Sequence, residues 1–177
     1  MTPEFKQYII DYSDRIFEKV KGYREYMHAH PELSYKEHET MKYVSQVLTT
    51  LGIEHKTGVG DTGIVALIKG ENHSDSDPCI CLRADLDALP IHEENEVPYK
   101  SKVDGIMHAC GHDVHSAVLL GAAEVIDSLK ENLPQPVKMI FQPGEEKNPG
   151  GATLMLRDGI LENPKVERML ALHVFPD

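Results

Sequence analysis

Apolar residues recur at three- and four-residue steps in two stretches near the start of the chain. Phe5, Ile9, Tyr12, Ile16, Val20, Tyr23 and Met27 trace one stripe, which predicts a long first helix with that stripe buried. Thr2 and Pro3 suit its first turn and Pro31 its end. Met41, Val44, Leu48 and Leu51 trace a second stripe. Ahead of it Ser34 and Glu37 stand three apart, the spacing of a capping box, and Gly52 supplies the stop. The period then changes. GIVALIKG (63 to 70) and CICLRAD (79 to 85) are short apolar or β-branched runs that predict buried strands, with ENHSDSDP (71 to 78) as a hairpin-type loop between them. Val114, Ala117, Val118, Gly121, Val125 and Leu129 return to the helical step, and their small members permit close approach to a sheet. VKMIFQ (137 to 142) and ERMLALHV (167 to 174) predict two more strands, with a Pro/Gly loop and a short helical pattern over 152 to 160 between them. Strands interleaved with helices of this length imply an α/β layered fold.

Composition narrows the class. At 177 residues one domain is expected, and no apolar run is long enough to cross a bilayer. The net charge of -11 repels phosphate backbones and anionic lipid heads, so neither nucleic acid nor a membrane is expected as partner. Three cysteines, with Cys79 and Cys81 almost adjacent, do not make a disulfide framework. The start, MTPEFKQYIID, has no basic stretch followed by an apolar core, so the expected location is cytoplasmic.

Chemistry enters with MHACGHDVH (107 to 115), which packs one thiol and three imidazoles into nine positions. Cys110 reads there as a nucleophile, a metal ligand or a buried thiol. Residues two apart on a helix point about 200° apart, so Cys110 and His112 share an ion only if Gly111 bends the chain. The rival set is His108, His112 and His115, on one face if the stretch is helical. Local spacing does not choose. Glu145 and Glu146 follow a strand, as a carboxylate pair that divides metal binding from general-base work does, or as a solvated acidic loop does. His173 stands in an apolar run where a lone histidine is usually a satisfied core residue, and Asp85 and Asp87 also read as turn formers before Leu89-Pro90. A deaminase signature fails, because Pro78-Cys-Ile-Cys81 is one residue short and precedes the histidines, and a His-Glu-x-x-His motif is absent.

The stretches HAHPELSYKEHET (28 to 40), TGIVALIKG (62 to 70), LRADLDALPI (82 to 91), GIMHACGHDVHSAVLLGAA (105 to 123), FQPGEE (141 to 146), GGATLMLRDGIL (150 to 161) and LHVFPD (172 to 177) resemble, in order and spacing, the dinuclear metal amidohydrolases of the aminoacylase and carboxypeptidase type. The match is to the branch of hippurate hydrolases and indole-acetyl-amino-acid hydrolases. The resemblance implies a three-layer α/β catalytic domain with a mixed, mostly parallel sheet and helices on both faces. It makes Cys110, His112, Glu146 and His173 ligands of two divalent ions (zinc, manganese or nickel), with Cys110 bridging, Glu145 the general base and Asp85 an orienting carboxylate. In a related branch a ligand histidine stands where Arg83 stands here, so His112 is expected to supply that imidazole. The implied reaction is hydrolysis of the amide bond of N-acyl amino acids. Residues 1 to 177 are then expected to be the N-terminal portion of the catalytic domain. The lid and dimerisation domain, through which the parent forms a homodimer, and a closing segment with another histidine ligand are both missing, so little turnover is expected from this part alone. Two other readings stand beside this one: a cysteine-nucleophile amidase using Cys110, and a non-catalytic metal-binding or interaction fragment.

Overall fold

The computed structural model describes residues 2–74 and 76–175; Pro176 and Asp177, the end of the LHVFPD stretch, lie outside them. Helix α1 spans Pro3–Ala29, and the Thr2 hydroxyl accepts a hydrogen bond from the Phe5 amide (3.3 Å). Its predicted stripe is the inward face: Ile16 and Met27 are buried and the other members half-buried. Helix α2 spans His38–Thr50 and stops at Gly52, whose φ of 73° a residue with a side chain rarely takes. The expected capping box does not form. Glu37 precedes the helix without a side-chain cap, and Ser34 is farther out. Both side chains find stronger partners elsewhere in the molecule.

Five strands follow: β1 (Glu54–Val59), β2 (Gly63–Ile68), β3 (Cys79–Asp85), β4 (Val137–Gln142) and β5 (Val166–Ala171), with α3 (His112–Ser128) before β4 and α4 (Gly151–Arg157) before β5. Their order in the sheet is β1-β2-β4-β3-β5. Pairing is antiparallel for β1 with β2 and β2 with β4, and parallel for β4 with β3 and β3 with β5. Residues 71 to 78 therefore do not close a hairpin. VKMIFQ is buried at every position and takes the centre of the sheet, so β4 separates β2 from β3. Strand β1 escaped the hydrophobic pattern because EHKTGV is mostly polar, as an exposed edge permits. The last strand departs from expectation too: β5 ends at Ala171 and is an exposed edge, with Met169 and Leu170 open to solvent.

Alternation along the strands makes two layers of core. Ile64, Ala66, Ala84, Met139 and Phe141 pack with Val44, Leu48, Ala117 and Leu120 of α2 and α3 on one face. Cys81 and Ile140 pack with Met155 of α4 on the other. Gly121 permits close packing, but against α1: a Cβ there would stand 2.7 Å from a Val20 methyl. Lys138, buried inside β4, donates to the carbonyls of Ile160 (2.7 Å), Glu162 (2.9 Å) and Pro164 (2.8 Å), which fixes the loop leading to β5. Among the described residues no helix is long and apolar enough to cross a membrane. The parallel strands β3, β4 and β5 end at Asp85, Gln142 and Ala171, so the loops that follow all emerge at one edge of the sheet. In open α/β sheets that edge is where ligands bind.

Candidate metal centre

Asp85 closes β3 and Asp87 lies just beyond it; Glu145 and Glu146 follow β4, His173 follows β5, and Cys110 and His112 straddle the start of α3. Gly111 caps α3 with φ 84°, in the left-handed region, and turns the chain so that both neighbours face the same space. A Cβ at this position would overlap the Val174 side chain. The helical set His108, His112 and His115 is overturned, because α3 starts only at His112 and His108 belongs to the preceding loop. His108 is buried with neither ring nitrogen hydrogen-bonded among the described residues, and burial pushes its pKa down to about 4.

Three overlapping groups of donor atoms gather here. Those of Cys110, His112 and His173 lie within 4.8 Å of one another, as do those of Asp85, His112 and His115 and those of His112, Glu145 and Glu146. His112 is common to all three. Its Nδ1 meets the Asp87 carbonyl oxygen at 2.8 Å. A carbonyl only accepts, so Nδ1 holds the proton and, in the neutral ring, the Nε2 lone pair is free. That Nε2 faces Asp85 Oδ2 at 3.7 Å and Glu146 Oε1 at 3.8 Å. Cys110 Sγ stands 3.4 Å from His173 Nε2, while His173 Nδ1 donates to the Val174 carbonyl (2.7 Å). His173 is exposed, not a satisfied core residue.

Asp85 is held from two sides, by Arg83 Nη1 on Oδ2 (2.6 Å) and by His115 Nδ1 on Oδ1 (2.7 Å). Arg83 also donates to Gln142 Oε1 (2.9 and 2.7 Å), so the residue at this position is a carboxylate clamp. His115 Nε2 accepts the Val174 amide (3.0 Å) and so ties the segment carrying His173 to α3. Asp87 has the part that the sequence did not announce. Its Oδ1 accepts the Glu145 amide and its Oδ2 the Glu146 amide (3.0 Å each), and Ser34 Oγ donates to Oδ2 at 2.6 Å. Burial alone would raise the pKa of Asp87; hydrogen bonds from His112, Ser34 and the two amides overcome it and hold the carboxyl at about 2. For His112 burial opposes the charged form, but the hydrogen bond to Asp87 and the charges of Asp85 and Asp87 outweigh it and raise the pKa. Burial first, then the hydrogen bond and charge of Glu146, with Asp85 and Glu145 adding to them, push the Cys110 thiol up to about 12. A nucleophilic cysteine needs the opposite surroundings. A thiol and several carboxylates crowding the His112 imidazole instead suit a cation, which would deprotonate the thiol and balance the acids.

The family model described as Peptidase family M20/M25/M40 matches residues 81–177, the stretch that holds every one of these donor groups. The chain belongs to this family. Among its relatives, N-acetyl-L-cysteine deacetylase of Bacillus subtilis (strain 168) is 43% identical over 156 residues, which are 88% of this chain and 36% of that protein. Thermostable carboxypeptidase 2 of Saccharolobus solfataricus is 43% identical over 153 residues, 85% of this chain and 38% of that protein. The crystal structure of the YXEP protein of Bacillus subtilis, described as a dinuclear metal binding peptidase of the M20 family, matches with a TM-score of 0.85 and 39% identity, over 93% of this chain and 44% of that one. The chain thus spans less than half the length of these relatives.

Proposed function

We propose that this chain is the N-terminal portion of the catalytic domain of a metal-dependent amidohydrolase that releases amino acids from N-acyl conjugates, with the lid, the dimerisation surface and a closing ligand segment supplied by sequence outside it. The observation that carries the reading is the convergence on His112, whose ring lies within 4.8 Å of donor atoms from Cys110, His173, Glu145 and Glu146 and whose Nε2 faces Glu146 Oε1 at 3.8 Å. The residues fit a pair of divalent ions, which Cys110, His112, Glu146 and His173 would hold. Thiolate favours zinc, while imidazole and carboxylate also suit manganese or nickel. Two such ions would polarise an amide carbonyl and bring the pKa of water towards neutrality.

The remaining work falls to the chain's own groups. Glu145, on the same Asp87-held turn as Glu146, takes the proton of the attacking water and returns it to the leaving amine. Asp85 lies beside His112, and Arg83 and His115 prevent its carboxyl group from swinging away. The substrate class draws support from the names of the two relatives, a deacetylase for N-acetyl-L-cysteine and a carboxypeptidase. Both denote cleavage of an amide whose amine side is an amino acid with a free carboxylate. Exchanging Glu145 for Gln in the longer protein is expected to lower hydrolysis of N-acyl amino acids by about a hundredfold or more with metal content unchanged. Hydrolysis at a near wild-type rate would remove Glu145 as the base.

A further inference from the structure

The turn between α1 and α2 touches the loop that carries Glu145 and Glu146 at both of its ends and through Asp87 at its middle. At the near end, Glu37 is fully buried, and its Oε1 accepts the Gly144 amide at 2.8 Å while its Oε2 accepts the Thr62 hydroxyl at 2.5 Å. At the far end, the Tyr35 hydroxyl donates to the Lys147 carbonyl (2.7 Å) and accepts the Gly150 amide (3.0 Å). The Tyr35 ring lies so close over Gly144 that a Cβ there would overlap it. In the middle, Ser34 donates to Asp87, the carboxylate that receives the Glu145 and Glu146 amides. Tyr35 holds this place at φ 64°, a conformation that bulky side chains rarely take. Among the described residues Glu37 has no cationic partner, which is costly for a buried carboxylate.

These costs have a use. Glu145, Glu146, Asp85 and Asp87 crowd one small volume, and their mutual repulsion would otherwise drive an exposed loop away from His112. We infer that the Ser34–Glu37 turn is a positioning device, in which Glu37 and Tyr35 hold the acidic pair, through the main chain, at the place where it meets His112. Its consequence for metal affinity rests on the reading given above; its effect on the loop does not.

The test uses the whole chain as wild type, Glu37→Ala, Glu37→Gln and Tyr35→Phe. Amide hydrogen exchange is read at Gly144, Glu145, Glu146 and Gly150, with Met139 and Phe141 of β4 as a folding control, and cobalt(II) affinity is read from absorbance. Glutamine keeps an oxygen for the Gly144 amide, so Glu37→Gln is expected to stay close to wild type in both readouts. Glu37→Ala is expected to speed exchange at Gly144 and Glu145 by about tenfold or more and to weaken cobalt binding by about tenfold or more, with β4 protection intact. Unchanged exchange at 144 to 146 in Glu37→Ala with β4 still protected overturns the inference, as does Glu37→Gln losing as much as Glu37→Ala. If Glu37→Ala loses β4 protection, Tyr35→Phe decides: faster exchange at Gly150 with β4 intact supports the device, and unchanged exchange there overturns it. A wild-type chain that binds no cobalt contradicts the metal reading, and the exchange readout then judges the turn alone.

Discussion

Asp85 and Asp87 stand two residues apart at the end of β3 and have different tasks. Asp85 presents an oxygen towards His112 and is braced by side chains. Asp87 presents none outward; it gathers two main-chain amides, a serine hydroxyl and an imidazole. Its carboxyl is held at about 2, below the ordinary 3.8, so the stabilisation is fully present above about pH 4 and is lost as the pH falls through 2. The corresponding contribution is about 2 kcal/mol. Urea denaturation of the chelator-treated chain is therefore expected to show a stability loss between about pH 4 and 2 that is smaller in Asp87→Asn; an equal loss would assign it to other groups. That Cys110, Glu146 and His173 gather around His112 was legible in the sequence because their side chains are ligand types and their spacing resembles a known family. Asp87 was not, since a carboxylate that works by accepting amides from a loop far along the chain looks like any turn former. Ser34 and Glu37 carried a misleading signal: capping-box spacing, with side chains claimed by partners that only the folded chain brings near.

At the scale of elements, periodicity found what burial enforces. The stripe on α1, the buried run of β4 and the α3 helix follow from apolar spacing, whereas the edge strand β1 has no apolar pattern to find. Strand order was hidden as well, because local sequence says which residues are buried and not which strand inserts between two others. The start of α3 is the element on which the site most depends. Gly111 takes φ 84° there, and its Cα faces Val174 without room for a Cβ. Gly111→Ala is expected to cost about 1–2 kcal/mol from the left-handed backbone alone, and more as Val174 and the neighbouring His173 are displaced. Thermal denaturation and cobalt affinity measured together check this, and a variant equal to wild type in both would show that the turn tolerates a side chain.

Over the whole molecule, the donors converge because three parallel strands end at one edge of the sheet and α3 begins there. The same architecture leaves β5 as an open edge, with Met169 at 47% and Leu170 at 61% exposure, so the side that bears His173 is also the least covered. An exposed apolar edge pairs readily with another strand. Sedimentation of this chain is expected to show concentration-dependent association that Leu170→Lys reduces, and a monomer at all concentrations would mean the edge is inert. Whether Cys110 joins His112, Glu146 and His173 in holding metal is decided by X-ray absorption at the zinc edge of the zinc-loaded chain. A sulfur shell at about 2.3 Å beside nitrogen and oxygen ligands is expected, lost in Cys110→Ser. A wild-type spectrum with nitrogen and oxygen neighbours alone would contradict a ligand role for Cys110.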